Sequence, residues 1–145
     1  MFDLYQFWLG AWRLQRTIRN AGSAAVLQQN GRASFSPHAA NLLDYREEGT
    51  WADSGHDFFQ SYTWHIRGQR TEIFFGSGPQ QGRPFLALDF DPRTRTAFDT
   101  HNCEPDLYRV RYRLIAKGAF QTLIVVRGPK KAYIARTEFE RIESA

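Results

Sequence analysis

The chain has 145 residues, enough for one domain with a substantial hydrophobic core. Its formal net charge is +4, but the basic residues are spread along the chain without the basic run that marks a nucleic-acid surface. One cysteine excludes an internal disulfide framework, and no apolar run reaches the roughly 20 residues of a membrane span. The N-terminus lacks a signal-peptide pattern, so we expect a cytoplasmic protein that binds neither membranes nor nucleic acid.

The N-terminal segment predicts a short helix over residues 2–9. Leu4, Phe7 and Trp8 fall on one face of this helix, which would bury them together.

A glycine two residues before a tryptophan follows that segment. Gly10 allows a tight turn into the first strand, and the Trp12 indole can plug one end of a barrel while its N–H finds a partner. We expect Arg127 or Arg136, near the C-terminal end, to close the barrel against Trp12.

The rest of the chain alternates apolar and polar residues in short segments separated by turns, a pattern typical of antiparallel strands. The predicted strands cover residues 12–19, 26–36, 43–51, 58–67, 71–75, 85–90, 96–101, 107–115, 120–127 and 132–142. Gly31 is expected to form a bulge in the second strand. About ten strands joined by hairpins favour an all-β, antiparallel up-and-down barrel over a sandwich, as one domain over residues 1–145.

The alternation assigns the residues of the first and third predicted strands to faces. In the first strand one face is formed by Trp12, Leu14, Arg16 and Ile18. In the third one face is formed by Leu43, Tyr45, Glu47 and Trp51.

The densest polar run is His-Asn-Cys-Glu-Pro-Asp-Leu-Tyr-Arg-Val-Arg-Tyr at residues 101–112. Together with Leu-Gly-Ala-Trp-Arg-Leu at residues 9–14, the segment 45–49 and Arg-Gly-Pro-Lys-Lys-Ala-Tyr at residues 127–133, it resembles an uncharacterised domain-of-unknown-function family of the calycin superfamily. The resemblance covers nearly the whole chain. It implies a small lipocalin-like barrel around a central cavity that holds a ligand, and it implies no particular activity.

Three residues of this run have side chains that can ligate metals or perform catalysis. His101, Cys103 and Asp106 fit a zinc site by type, but no further Cys or clustered His stands nearby. A Cys103 nucleophile with His101 as its base would require the strand to continue through Asn102. We favour a structural turn, in which Asp106 caps backbone N–H groups and Cys103 packs as a small apolar residue, and we predict no metal site.

The eighth predicted strand separates tyrosines from arginines. Tyr108 and Tyr112 share one face, while Arg109, Arg111 and Arg113 share the other. An arginine face is usually solvated, but an arginine that reached the lumen beside a tyrosine would bind a ligand carboxylate.

We therefore expect an intracellular barrel that binds a small apolar or aromatic ligand with an acidic head group. The candidate ligand-binding residues are Tyr45, Arg46, Trp64, His101, Tyr108, Arg111 and Tyr133. No cofactor is required by this hypothesis, and association into a homodimer stays open.

Two alternatives remain. An enzyme would use a polar dyad from His101, Asp106 and Tyr108 inside the cavity. A haem-binding barrel, by similarity to nitrobindin-type calycins, would use a histidine such as His65, although those proteins rely on a histidine near the C-terminus and this chain has none after His101.

Overall fold

The computed structural model of the protein describes residues 2–143. One helix, α1 (Leu4–Trp8), precedes ten strands, which are β1 (Gly10–Asn20), β2 (Val26–Ala39), β3 (Leu42–Trp51), β4 (Asp57–Arg67), β5 (Arg70–Phe75), β6 (Pro84–Asp89), β7 (Thr96–Cys103), β8 (Asp106–Ala116), β9 (Ala119–Arg127) and β10 (Ala132–Arg141). All ten form one antiparallel sheet in the order β6-β5-β4-β3-β2-β1-β10-β9-β8-β7. The predicted all-β, up-and-down barrel with a short N-terminal helix is confirmed.

The two ends of the sheet meet along a seam between β6 and β7. The backbone N–H of Ala87 on β6 donates to Oδ2 of Asp99 on β7 over 2.6 Å. In the turn that joins the two strands, the N–H of Asp91 donates to the carbonyl of Thr96 over 3.1 Å. The barrel is therefore nearly closed. At the seam, the Asp99 carboxylate accepts the hydrogen bond that a main-chain carbonyl would accept in a continuous ladder.

Helix α1 fills one end of the barrel. Asp3 caps it by accepting a hydrogen bond from the N–H of Gln6 at 3.1 Å, and Leu4, Phe7 and Trp8 are buried, as predicted. Within residues 2–143, no helix has the length and apolar character that crossing a membrane would require.

The buried end of the barrel is a floor of packed rings around Trp8. The Trp8 ring lies edge-on to Trp64 and Phe120, with centroids 4.9 and 5.0 Å away, and its Nε1–H donates to Oγ1 of Thr71 over 3.3 Å. Such edge-to-face pairs are favourable beyond the area they bury, so this end has a solid aromatic core.

The predicted turn before Trp12 is present, but a different arginine closes the barrel. Gly10 has a φ of +118°, and Trp12 is fully buried with its Nε1–H bonded to the Trp8 carbonyl at 3.0 Å. The guanidinium of Arg141 lies 4.3 Å from the Trp12 ring centroid and donates to the carbonyl of Leu9 over 2.8 Å.

The expectation that Arg127 or Arg136 would close the barrel is wrong because of strand register. Trp12 lies directly opposite Arg141 in the β1–β10 ladder. Arg136 lies between two buried residues and points outward, and Arg127 ends β9 at the opposite end of the barrel. Both of these arginines are exposed.

The predicted bulge at Gly31 is also wrong. Gly31 pairs regularly with Leu14 and Gly49, and a Cβ at this position would lie 2.1 Å from the carbonyl oxygen of Glu48. The glycine is needed because the backbones of β2 and β3 approach closely here. The irregularity in this ladder falls between Pro37 and Ala39 instead, so β2 extends beyond its predicted end.

Candidate ligand-binding cavity

A cavity of about 520 Å³ occupies the barrel at the end opposite α1. Its inner part is bounded by residues of the floor such as Trp64 and Phe139, and it extends to strand ends far from α1, where Asn20, Trp51 and Cys103 lie. This volume falls within the range of pockets that hold small organic ligands, about 300–1,000 Å³. The aromatic side chains that line it are Tyr45, Trp51, Tyr62, Trp64, Phe75, Phe85, His101, Tyr108, Tyr112, Tyr133 and Phe139.

An ion pair lies inside this aromatic lining. Arg16 on β1 donates from Nη1 to Oε2 of Glu47 at 2.6 Å and from Nη2 to Oε1 at 3.1 Å, a bidentate arrangement. The side chains of Arg16 and Glu47 are only 12% and 5% exposed. The pair is therefore shielded from water, and it adds no net charge to the lumen.

Three neutral side chains complete the network around the ion pair. The Tyr45 hydroxyl donates to Oε1 of Glu47 over 2.7 Å. Arg16 also donates from Nε to Oγ1 of Thr137 at 2.7 Å and from Nη1 to Oε1 of Gln29 at 3.0 Å. Because buried charges need hydrogen-bonding partners, this network keeps the ion pair in a fixed position.

The surroundings of the network shift the pKa of Arg16 and of the nearby tyrosines. Burial alone would lower the pKa of Arg16, but the charge and hydrogen bonds of Glu47 outweigh it and raise that pKa. Burial raises the pKa of Tyr45, and the neighbouring Glu47 carboxylate adds to the effect. Burial is also the main cause of the raised pKa of Tyr62 and Tyr112. These phenols are therefore neutral hydrogen-bonding groups at neutral pH.

Nearer the mouth, aromatic rings form a separate cluster on one wall. The Tyr62 and Phe85 rings stack at 5.6 Å with an interplanar angle of 16°, and Phe75 lies 4.8 Å from Phe85. The His101 ring lies edge-on to Phe85 at 5.2 Å. This wall presents flat apolar surfaces that suit a planar ligand.

Polar and charged groups gather at the rim. Lys131 donates from Nζ to the Tyr108 hydroxyl over 3.0 Å and lies 3.4 Å from Oδ2 of Asp106. The lysine side chain is about half exposed, and Tyr108 lines the cavity next to His101. The rim therefore combines one cation with several groups that can donate to a ligand.

The structure brings five of the seven predicted site residues together. They are Tyr45, Trp64, His101, Tyr108 and Tyr133, and all of them line the cavity.

The other two predicted residues lie outside the cavity lining. Arg46 stands between the inward-facing Tyr45 and Glu47, so alternation turns it outward, where its guanidinium lies 5.0 Å from the Phe59 ring centroid. Arg111 follows the buried Val110 and is turned outward in the same way. The arginine that enters the lumen is Arg16.

The turn within the polar run at residues 101–112 is shorter than predicted. Strand β7 continues through Cys103, so His101 and Cys103 both face the cavity, and the turn is limited to residues 104–105. Asp106 forms an ion pair with Lys131 instead of the predicted cap on backbone N–H groups. Among the described residues, no group of three or more His, Cys, Asp or Glu side chains is placed to hold a metal ion.

The histidine considered for haem lies on the outer face of β4. Its neighbours Trp64 and Ile66 are buried inward, and His65 lies 3.7 Å from Glu72 across the ladder to β5. The histidine that lines the cavity is His101.

Sequence reasoning did not include Arg16, Gln29 and Glu47 among the site residues. The signal was present, because all three occupy inward positions in the alternation of their strands β1, β2 and β3. A charged residue on an apolar strand face is worth examining as a buried partner or ligand contact.

Comparison with known families identifies the chain. The model of a family of unknown function, DUF6314, matches residues 8–141. The chain belongs to this family. Among curated proteins, none matches.

Solved structures share the fold of this DUF6314 protein at low sequence identity. An S-type phycobiliprotein lyase from Guillardia theta has a TM-score of 0.77 at 10% identity, covering 97% of this chain and 92% of the lyase. A DUF3598-family protein of unknown function from Nostoc punctiforme has a TM-score of 0.65 at 16% identity, covering 98% of this chain and 50% of that one. The protein EF1p2_mFAP2b, solved bound to DFHBI, has a TM-score of 0.55 at 13% identity, with coverages of 95% and 96%. At these identities the likeness concerns the fold.

Proposed function

We propose that this DUF6314 protein is an intracellular small-ligand-binding barrel whose ligand has an apolar or aromatic body and an acidic head group. The observation that carries the proposal is the cavity of about 520 Å³, which opens at one end and is lined by aromatic rings with a few fixed polar groups. Binding pockets combine these features, since the rings supply apolar contact area and the polar groups orient the ligand.

The aromatic rings that line the lumen suit the aromatic body of the ligand. Tyr62 and Phe85 stack on one side of the lumen, and Tyr45 stacks on Trp64 at 5.3 Å deeper inside. Tyr133 lines the opposite side of the mouth from β10. A flat ligand between these surfaces would replace contacts with water by contacts with rings.

The acidic head group belongs at the rim. Deep in the barrel, the charge of Arg16 is already balanced by Glu47, so a buried carboxylate there would face an uncompensated cost. At the mouth, Lys131 and the Tyr108 hydroxyl are partly exposed, and His101 offers ring nitrogens beside them. A carboxylate at this position keeps part of its hydration and gains one charged donor, the half-exposed Lys131, which it shares with Asp106.

The structural neighbours and the geometry support binding as the function. One barrel of similar fold was solved bound to the small molecule DFHBI, and another is a phycobiliprotein lyase. In contrast, among the described residues no hydrogen bond joins His101 to Asp106 or Tyr108, which a catalytic dyad would need.

Titration with aromatic carboxylic acids and fatty acids, followed by tryptophan fluorescence, tests the proposal. We expect saturable quenching by some acids and weaker binding of their methyl esters, because an ester cannot pair with the rim cation. Lys131→Met should remove most of the difference between acid and ester. The matched variants Arg46→Met and Arg111→Met, at positions outside the cavity, should retain it. If no acid in the panel gives saturable quenching, the proposed function is wrong.

Haem is a second candidate ligand, because His101 places an imidazole among the lining rings. Titration with haemin would then give a Soret band that shifts on saturation and is lost in His101→Phe. Saturable binding of acids without such a band would leave the organic acid as the ligand.

A further inference from the structure

The polar network inside the barrel has hydrogen-bond donors left over. The guanidinium of Arg16 carries five N–H donors, and four of them are used by Thr137, Gln29 and Glu47. The remaining one, on Nη2, has no partner among the described residues. Since Arg16 lines the cavity, this donor is available to a ligand.

Gln29 leaves a second set of donors. The amide atom that faces Arg16 must be the oxygen, because a guanidinium can only donate hydrogen bonds. The NH₂ group is therefore the amide end that points away from Arg16. This NH₂ group has no hydrogen-bond partner within residues 2–143, although Gln29 is only 5% exposed and lines the cavity.

Trp64 also carries a donor without a partner, but this donor is closed off from the cavity. Trp64 is 2% exposed, and its Nε1 is the one fully buried side-chain polar atom in the described part of the chain without a hydrogen bond. A ligand in the cavity therefore contacts the Trp64 ring and not its N–H, which stays unpaired at an energetic cost. Trp64 stacks on Tyr45, whose hydroxyl binds the same carboxylate that holds Arg16.

The acceptors in this region are already engaged. Oε1 of Glu47 receives hydrogen bonds from Tyr45 and Arg16, and Oε2 receives one from Arg16. The inner end of the cavity therefore presents two unused donor groups, the second N–H on Nη2 of Arg16 and the amide of Gln29, while the charge of its cation is balanced.

We infer that the inner end of the cavity recognises an uncharged oxygen acceptor of the ligand, such as a ketone, quinone or amide carbonyl, through Arg16 and Gln29. This inference rests on the proposed function and refines it. The ligand is an aromatic acid that enters carbonyl-first, with its carboxylate left at the rim. A carbonyl oxygen accepts two hydrogen bonds and brings no charge that would compete with Glu47 for Arg16.

A matched pair of ligands separates this inference from the proposed function. 4′-Acetylbiphenyl-4-carboxylic acid and 4′-isopropenylbiphenyl-4-carboxylic acid share an aromatic body and an acid, and they differ in one carbonyl oxygen at the end opposite the carboxylate. Calorimetric titration of the wild-type protein should give about tenfold tighter binding of the acetyl acid, which corresponds to about 1.4 kcal/mol.

Variants of the donors identify the groups that recognise the carbonyl. Gln29→Met removes the amide donor and retains a side chain of similar shape, so it should lower the preference for the acetyl acid to threefold or less. Trp64→Phe removes an N–H that the cavity does not reach and should retain most of the preference. A purely structural role of Gln29 would weaken both ligands equally and leave the ratio unchanged. Arg46→Met, on the outer face, serves as the control with the wild-type ratio.

The outcomes are distinct. Equal affinity of the two acids for the wild-type protein would overturn the inference while leaving the proposed function intact. A preference that survives in Gln29→Met would overturn it as well. If neither acid binds and the wider panel also fails, the proposed function itself is wrong.

Discussion

The two ends of the barrel use the same strand alternation to opposite effect. On β1, the inward residues Trp12 and Leu14 are fully buried in the floor, while Arg16 and Ile18 further along line the cavity. On β9 and β10, the Phe120 and Phe139 rings stack at 4.1 Å in the floor. The difference is that α1 inserts into one end only, so inward side chains there find apolar partners and close-pack.

This contrast shows how a barrel of this size can have both a stable core and a binding site. The floor supplies apolar burial, and the cavity retains polar groups that a solid core would exclude. Substitutions in the floor should therefore act on stability, whereas substitutions in the cavity should act mainly on binding.

The largest expected effect comes from opening the floor. Trp8→Ala removes a fully buried ring and its bond to Thr71, so the free energy of unfolding should fall by about 3–5 kcal/mol. Urea denaturation measures the change. The matched control is Phe75→Ala at the mouth, where the ring is only partly buried and the loss should be less than half as large. Equal losses at the two positions would remove the distinction between floor and cavity.

The ion pair in the cavity should give the next largest effect. Arg16→Met leaves the Glu47 carboxylate buried without its partner, at a cost of about 3 kcal/mol in the free energy of unfolding. In the double variant Arg16→Met with Glu47→Leu, most of this loss should be recovered because no unpaired charge remains. Chemical denaturation of the two single variants and the double variant measures the coupling. Additive losses would show that the two side chains do not act as a pair.

The clamp over Trp12 should contribute less. Arg141→Met removes the cation above the indole and the hydrogen bond to the Leu9 carbonyl, with an expected loss of about 1–2 kcal/mol. Arg136→Met on the same strand is the control and should change stability by no more than about 0.5 kcal/mol. Thermal unfolding of the two variants would compare them directly, and a larger loss at Arg136 would contradict the assignment.

The smallest effect concerns pH. Burial, with a further contribution from Glu47, raises the pKa of Tyr45 and Tyr62 above the usual value of about 10. The folded state then retains protons that the unfolded chain releases, so the contribution of these phenols to stability should be constant below about pH 10 and fall as the pH rises further. Phenolate absorbance at pH 11 should be lower for the native protein than for the protein in denaturant. Equal absorbance in the two states would show that these phenols are not shielded.

Strand positions and facing were largely predictable because period-two alternation is a local property. The inward face of β8 with Tyr108 and Tyr112, and its outward arginines, follow directly from the sequence. The same alternation placed Arg16 and Glu47 inward, but it does not show that they meet, since they lie on strands separated by β2.

The details that sequence did not predict depend on register and on backbone approach. Which arginine lies over Trp12 is decided by the pairing of β1 with β10, the first and last strands of the chain. The need for glycine at position 31 arises from the close contact of β2 with β3. A local pattern encodes neither the register of β1 with β10 nor the approach of β2 to β3. The sequence analysis therefore missed Arg141 and assigned Gly31 to a bulge.

The sheet order has a consequence for how the chain holds itself together. The first and last strands are neighbours in the middle of the sheet, whereas its free edges belong to β6 and β7, which follow each other along the chain. The molecule thus consists of two meanders, β1–β6 and β7–β10, joined through the ladder between its terminal strands. Trimming the C-terminus into β10 would therefore divide the barrel at its centre instead of shortening it at an edge.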